Sequence, residues 1–503
     1  MLSEEGNDIT PFDDVLDIQD PRKELAAVEA QIEKIGAIMQ RLVTKTYAIK
    51  SRINDAHSPF LRLLPLEIIS VIFELCTPSR SLYPINPADY DRDSLPLKLG
   101  SVCSRWRKIA WTTPTLWASA TLYLTQYNMN SHVSLLDEWL GRSGDLPLHI
   151  SLYSDPSKCP DAPGVAINVI KKYASRWQFL HLQLPTSCYN CLPGPDCPLP
   201  HLTALHLEPI GWQVGCTVDM SHARLKVLSL SRVYLTSVSF RFDQVTHLNL
   251  DTFYVSECLE ALSYCLQVVD CTLRNFIGDT DSLPANPILR PTLKHLELEN
   301  TNDTSLHRLL DMILIPNIMA LTYAGPHLLC IPNMCALISR STSLQKFSLV
   351  KTIVPGEDIF LQLLTALKAV TEFVLEVPGI NQNSPLTDRI LRKMNPHIAA
   401  DLEADCLLPS LEVFRYRGPQ SFSLTESIAT IRSRLPSSGP PPNSFGLSPP
   451  FPRPVNSWRV IEFDLTYNVP NSHQYIATQL QQISLDSPQV DIMFNLSDET
   501  WEE

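Results

Sequence analysis

Three cysteines fall close together in the chain, Cys188, Cys191 and Cys197, with His181 and His201 on either side of them. Thiolate and imidazole are the ligands of zinc, and a Cys-x-x-Cys spacing sets two sulfurs on one turn, so this stretch is where a metal would be sought. Pro193, Pro195 and Pro198 interleave the sulfurs, no second Cys-x-x-Cys supplies the other half of a site, and both histidines occupy or flank strand-like segments. The expectation is therefore a reduced, loop-borne cysteine cluster, with no metal and no cofactor. Other chemistry has still less to stand on. With only 16 glycines in 503 residues there is no glycine-rich phosphate loop, and neither a Gly-x-Ser-x-Gly elbow nor a His-Glu-x-x-His helix occurs. No catalytic residue is assigned, and the chain is not expected to be an enzyme.

Length and composition point to binding instead. A chain of 503 residues exceeds one compact domain and suggests about two or three units. The longest apolar region, Met312 to Ile338, is interrupted by Pro316, Asn317, Pro326, Pro332 and Asn333, so no membrane span is expected. Thirteen scattered cysteines and an acidic start without an apolar leader make an intracellular location, cytoplasmic or nuclear, the default. A net charge of −13 argues against nucleic acid, whose phosphates need a positive surface.

Residues 1–19 are acidic, mixed and expected to be disordered. Asp20-Pro21 then reads as a helix start, and Leu25, Val28, Ile32, Ile35, Met39, Leu42, Ile49 and Ile53 keep a 3-4 spacing broken only by Thr46, an amphipathic or coiled-coil helix over 20–56. Gly36, Ile38 and Val43 weaken a strict two-stranded seam. The helix is left either to form a coiled-coil homodimer or to pack back on the segment after it or on another partner.

That following segment, 57–117, predicts two short helices and a closing tryptophan. Pro65 suits a first helical position, Glu67 complements the positive helix end, and Ile68/Ile69, Ile72/Phe73 and Leu75/Cys76 recur every three to four residues. Leu99, Val102/Cys103, Trp106 and Ile109/Ala110 repeat the pattern, with Lys98, Arg105, Arg107 and Lys108 largely opposite, before Thr113-Pro114 stops the helix. A unit this small buries little by itself and needs a neighbour for its apolar faces. At Leu64-Pro65-x-Glu67, Val102-Cys103-x-x-Trp106-Arg107 and Pro114-x-Leu116-Trp117 the chain resembles the F-box, departing from it in an insertion over 77–96 that is longer than most members carry. The resemblance implies docking to a Skp-family adaptor and through it to a cullin. The residues it marks for adaptor contact, or for the packing that supports it, are Leu64, Pro65, Ile68, Ile72, Val102, Cys103, Trp106, Leu116 and Trp117.

From 118 to 433 strand-like Leu-x-x-Leu-x-Leu segments recur. They start at Trp177, Leu202, Leu225, Val245, Leu266, Leu293, Ile318, Leu344, Val370 and Leu411, and up to Val370 the starts are 20 to 27 residues apart. That interval is the leucine-rich-repeat range. Two earlier strands, Thr121–Leu124 and Leu148–Leu152, flank a helix-like Val133–Leu140. The segments resemble those of F-box proteins with irregular leucine-rich repeats, although the asparagine usual after the strand is mostly missing. The fold class expected is α/β: an N-terminal helix, a helical F-box, then an irregular solenoid with parallel strands. A proline-rich loop over 434–457 follows, and 458–503 is expected to supply a cap (a strand from Trp458, a helix over Gln474–Ile483, a strand from Val490) and an acidic tail.

If the leucines point inward, the third, fifth and seventh positions line the outer strand face. Glu208, Asp251, Asp270, Glu297, Glu299, Glu372 and Glu376 fall there, against Lys346, Arg415 and Arg417. The face reads as acidic with a positive end, fitted to a basic protein substrate. Taken together, the expected function is the substrate-recognition subunit of a Skp–cullin–F-box ubiquitin ligase. The alternative is a scaffold that uses an F-box-like hairpin and coiled coil for assembly.

Overall fold

The computed structural model describes residues 21–57, 63–77, 95–435, 455–466 and 478–497, apart from 126, 155–162, 212–216, 279–283, 285, 300–305, 327–328, 355, 379–383, 402–404, 480, 484 and 486. The expected disordered tail, nearly all of the 77–96 insertion, most of the proline-rich loop, part of the Gln474–Ile483 helix and the acidic tail lie outside the described residues. The described residues up to Trp117 form one compact unit, and those from Ala118 onward form a second.

The first unit opens with the long helix α1, Pro21–His57. Its apolar seam does not fold back on the rest of the unit: every described seam residue from Leu25 to Ile49 is exposed. Towards its far end the Ser51 and Ser104 hydroxyls meet at 3.1 Å. Helix α2, Leu66–Leu75, is capped by Pro65 rather than starting on it. The next stretch is two helices and not one: α3, Leu95–Val102, and α4, Ser104–Thr112. The break is at Cys103, whose extended backbone (φ −159°, ψ 169°) ends the first helix and whose sulfur accepts the Trp106 amide at 3.4 Å to start the second. A 3-10 turn, Pro114–Trp117, closes the unit.

Its core is small and specific. Ile69, Phe73, Leu99, Ile109, Ala110 and Leu116 are buried around Trp117, which is 1% exposed and donates its indole N–H to the Ala110 carbonyl at 2.7 Å. Trp111 meets Trp117 edge to face with centroids 5.1 Å apart. The ring of Trp111 lies where a side chain on Gly100 would be, 2.1 Å from the position of a Cβ. Polar ties brace the same elements: Arg107 to the Gly100 carbonyl at 2.9 Å, Thr113 to Ser70 at 3.2 Å and Thr115 to Glu74 at 2.5 Å.

The second unit is mixed α/β, built on one sheet of fourteen parallel strands in chain order. They are β1 Ser119–Leu124, β2 Leu148–Ser154, β3 Trp177–Gln183, β4 Ala204–Leu207, β5 Val227–Ser231, β6 His247–Asp251 and β7 Asp270–Arg274. Then come β8 His295–Glu299, β9 Ala320–Ala324, β10 Lys346–Val350, β11 Glu372–Glu376, β12 Val413–Pro419, β13 Val460–Thr466 and β14 Asp491–Ser497. β13 pairs parallel with β12 and β14 with β13, so the last two strands extend the sheet. Parallel neighbours require a crossover. Helices supply it between several strands: α5 Met129–Arg142, α6 Pro163–Lys171, α7 Val255–Tyr264, α8 Leu306–Met312, α9 Ile331–Ser339, α10 Glu357–Ala366, α11 Asp388–Met394, α12 Pro396–Asp401 and α13 Leu424–Ser433.

The first, fourth and sixth residues of each repeat point into the core, as at Leu293, Leu296 and Leu298 or Val370, Phe373 and Leu375, all at most 2% exposed. Phe347, Phe373 and Phe414 stack in successive strands with centroids 6.2 and 6.0 Å apart. One expected start is displaced by two residues. Leu266 is 61% exposed, and the inward set of β7 is Val268, Cys271 and Leu273. After several strands the chain turns through a left-handed residue: Arg232 (φ 54°), Thr252 (62°), Asn275 (48°) and Lys351 (51°). The amides of the first three donate to the last carbonyl of the next strand, at 2.9, 2.9 and 2.8 Å. Only Asn275 is of a type that tolerates this conformation well.

Candidate protein-docking surfaces

Two surfaces on the described residues are candidates for docking a protein: the outward side of α2 in the first unit, and the outer face of the sheet in the second.

Helix α2 is apolar on both sides. Ile69 and Phe73 face the core. Leu66, Ile68, Val71 and Leu75 point outward, Ile68 at 46% and Leu75 at 79% exposure, with Leu63 also exposed just before the helix. A ten-residue helix that leaves half of its apolar residues in water has a second surface to cover. The expected adaptor residues divide accordingly. Pro65, Ile68 and Val102 are exposed, while Leu64, Ile72, Cys103 and Trp106 are half-buried, Trp106 lying against Phe73 with centroids 4.9 Å apart. Leu116 and Trp117 are core residues: they hold α2 and α4 in place and present nothing to a partner. The expected adaptor residues do not include the exposed Leu63, Leu66, Val71 or Leu75, although Leu75 lies on the expected apolar stripe. The apolar spacing of α2 gives one broad stripe, and only the position of Phe73 over Trp106 tells which side of it is spent.

The outer sheet face differs from an open acidic strip in two ways. Over β2 to β5 it is buried: His149, Ser151, Tyr153, Phe179, His181, Ala204, His206, Val227 and Ser229 are each at most 9% exposed. The Tyr153 hydroxyl and His181 Nδ1 are 2.9 Å apart, and His181 Nε2 lies 3.4 Å from a Glu208 oxygen. Burial pushes the Glu208 carboxyl up, but His181, His206 and Arg232 outweigh it and hold the group below its usual value.

From β6 to β13 the face alternates with the core except at the buried Ser348 of β10, and its charges are paired across strands. Asp251 accepts from Ser231 at 2.7 Å and from Asn275 at 2.8 Å. Asp270 lies between His247 (3.0 Å) and His295. Glu297 and Glu299 both meet Arg274, each at 3.1 Å. Glu372 lies between Lys346 (3.0 Å) and Arg415 (2.5 Å), Arg415 also reaches Glu462 at 3.2 Å, and Arg417 is 3.4 Å from Asp464. Glu376 stands opposite Arg417 in the β11–β12 register. The acidic face and its positive end are therefore compensated on the surface itself. Arg274 is not among the residues expected on this face, because a repeat that starts at Leu266 has its seventh position at Thr272.

The cysteine cluster lies in a 3-10 turn, Thr186–Cys191, and the loop after it. Cys188 is buried, and Cys191 and Cys197 are half-buried, and none of the three is in a disulfide. Among the described residues no group of three or more histidine, cysteine, aspartate or glutamate side chains converges on a point where a metal ion could sit, and no helix is long and apolar enough to cross a membrane. Compared with known proteins, the chain matches no family model and no curated sequence.

Proposed function

We propose that this chain is the substrate-recognition subunit of a Skp–cullin–F-box type ubiquitin ligase. In this reading residues 57–117 are an F-box that docks the Skp-family adaptor, and the parallel sheet with its helices is an irregular leucine-rich-repeat solenoid that binds the protein to be modified. The observation that carries the proposal is the second apolar side of α2. The stretch whose Leu-Pro-x-Glu opening resembles the F-box is also the one that leaves Ile68, Val71 and Leu75 uncovered. The catalytic power is borrowed: holding a target lysine near a ubiquitin thioester raises effective concentration, and no side chain here needs to break a bond.

Because the outer face is laced by its own ion pairs, a substrate segment docking on β6 to β13 exchanges salt bridges instead of meeting an uncompensated acidic field. Shape and the remaining exposed side chains then select the substrate, and simple basic character is a weaker criterion than the charge count suggests.

Co-purification of the full chain with a Skp-type adaptor tests the proposal, against a Leu64→Ala, Pro65→Ala double variant whose fold is checked by circular dichroism. Stoichiometric capture that the folded variant loses supports it. Failure of the native chain to capture any Skp-type adaptor would leave assembly without a ligase as the function.

A further inference from the structure

We propose that the seam of α1 pairs with the same seam on a second copy of this chain, and that the two helices run antiparallel. The pairing stands apart from whatever α2 binds.

The helix runs for 37 residues, about 55 Å, and from Leu25 to Ile49 nothing among the described residues covers its apolar stripe. Leu25, Ile32 and Met39 fall on one heptad position and Val28, Ile35, Leu42 and Ile49 on the other, and all are between 46% and 64% exposed. Thr46 continues the first row, and its hydroxyl is already satisfied by the Leu42 carbonyl at 2.9 Å, so it brings no unpaired donor into a seam. Ile38 and Val43 widen the stripe at its middle. At on the order of 80 Å² per half-exposed side chain these residues offer roughly 700 Å² per helix, close to the per-partner area of a standard stable interface.

Charge beside the seam selects both the partner and the direction. A parallel, in-register pair sets Lys45 of one helix against Lys50 of the other, a like-charge contact made twice. In the antiparallel pair Ile35 packs opposite Met39, Ile32 opposite Leu42 and Leu25 opposite Ile49, every layer mixing the two heptad rows. Glu29 then lies beside Lys50, Lys45 beside Gln31, and Ile38 meets its own copy on the two-fold axis. The closed two-fold arrangement uses one patch twice, as an isologous dimer must. It also sends the carboxyl ends of the two helices to opposite ends of the pair, about 50 Å apart, so the two α2 surfaces are carried away from each other and both stay open.

The test is sedimentation equilibrium on the full chain, native and as Glu29→Lys, Lys50→Glu and the double exchange. An antiparallel dimer predicts that each single reversal weakens association about tenfold, since each acts at two symmetric contacts, and that the double exchange restores it. A parallel dimer predicts the contrary for Lys50→Glu, which relieves the Lys45–Lys50 clash and tightens association, and that result overturns the stated direction. Ile35→Glu, which breaks the seam in either direction, should give monomers of unchanged fold in the second unit. A native chain that is monomeric at micromolar concentration, or a dimer that survives Ile35→Glu, overturns the proposal altogether.

Discussion

Arg434, just beyond α13, is the sharpest single test of how the second unit is held together. It is 2% exposed. Its guanidinium donates to the carbonyls of Met394 (2.9 Å), Leu408 (3.0 Å) and Leu407 (2.7 Å) and reaches the Cys406 sulfur at 3.2 Å, while lying 5.6 Å from the centre of the Trp458 ring. One side chain thus ties the end of α11, the 406–408 turn with its left-handed Leu408, and the approach to β13. Burial holds its pKa below the ordinary arginine value, with Cys406 opposing in part. Arg434→Met keeps the volume and removes the donors. The Leu408 carbonyl retains the Leu411 amide at 3.2 Å, whereas those of Met394 and Leu407 are left, among the described residues, with the Cys406 thiol at 3.4 and 3.6 Å. At about 1–3 kcal/mol for each buried acceptor left unsatisfied, and with part offset by no longer burying a cation, the expected loss is about 3 kcal/mol. Arg434→Lys, which lacks the planar fork, should fall between. Native-state hydrogen exchange of amides in α11, α13 and β12 reads the local opening free energy directly. A methionine variant within about 0.5 kcal/mol of native would refute the assignment of Arg434 as the tie.

Gly100→Ala drives a methyl group into the Trp111 ring and should cost the first unit about 2–3 kcal/mol, seen as faster exchange in α3 and α4 with the second unit unchanged; unaltered exchange would show that the ring can move aside. Glu372 tests the charge ladder by pH. Burial raises its pKa but Lys346 and Arg415 lower it more, so the folded-state value is depressed. The stabilisation from this carboxylate is therefore present above its unfolded-state pKa and is lost as pH falls through the folded-state value. Glu372→Gln should cost about 1 kcal/mol at neutral pH, after allowing for solvent screening, and the gap from native should close in acid; a gap independent of pH would mean that the pairs contribute nothing.

Much of this was legible in the sequence where burial has a period. The inward triplets of Leu293, Leu344, Val370 and Leu411 mark strand, register and core together, because a strand that buries one face repeats every two residues and a one-residue slip would expose all of it. Where Val268 and Leu266 are both apolar the rule has two solutions, and the wrong one hid Arg274. The helix α1 was likewise plain from its spacing, whereas its failure to pack on its own unit was not: the same stripe fits a neighbour within the chain or another molecule. Burial of the outer face at His181 and His206 carries no local signal, since strand periodicity tells which residues share a side and not what covers that side. In the first unit Leu116 and Trp117 fall in a stretch expected from a resemblance to contact an adaptor, yet their burial and the hydrogen bond from Trp117 to Ala110 make them core, a distinction that only a folded chain displays.

The proposed docking role of α2 is tested most directly by the affinity of the full native chain for a purified Skp-type adaptor, compared with Ile68→Asp and Leu75→Asp. Ile68 is 46% and Leu75 79% exposed, on the side of α2 away from the buried Ile69 and Phe73, so each substitution places a charge in the proposed interface, and circular dichroism checks that each variant is folded. Tight native binding is expected, with a loss of about 2 kcal/mol or more, some thirtyfold, for at least one variant. Native binding that both variants retain in full would contradict the assignment of α2 as the docking surface.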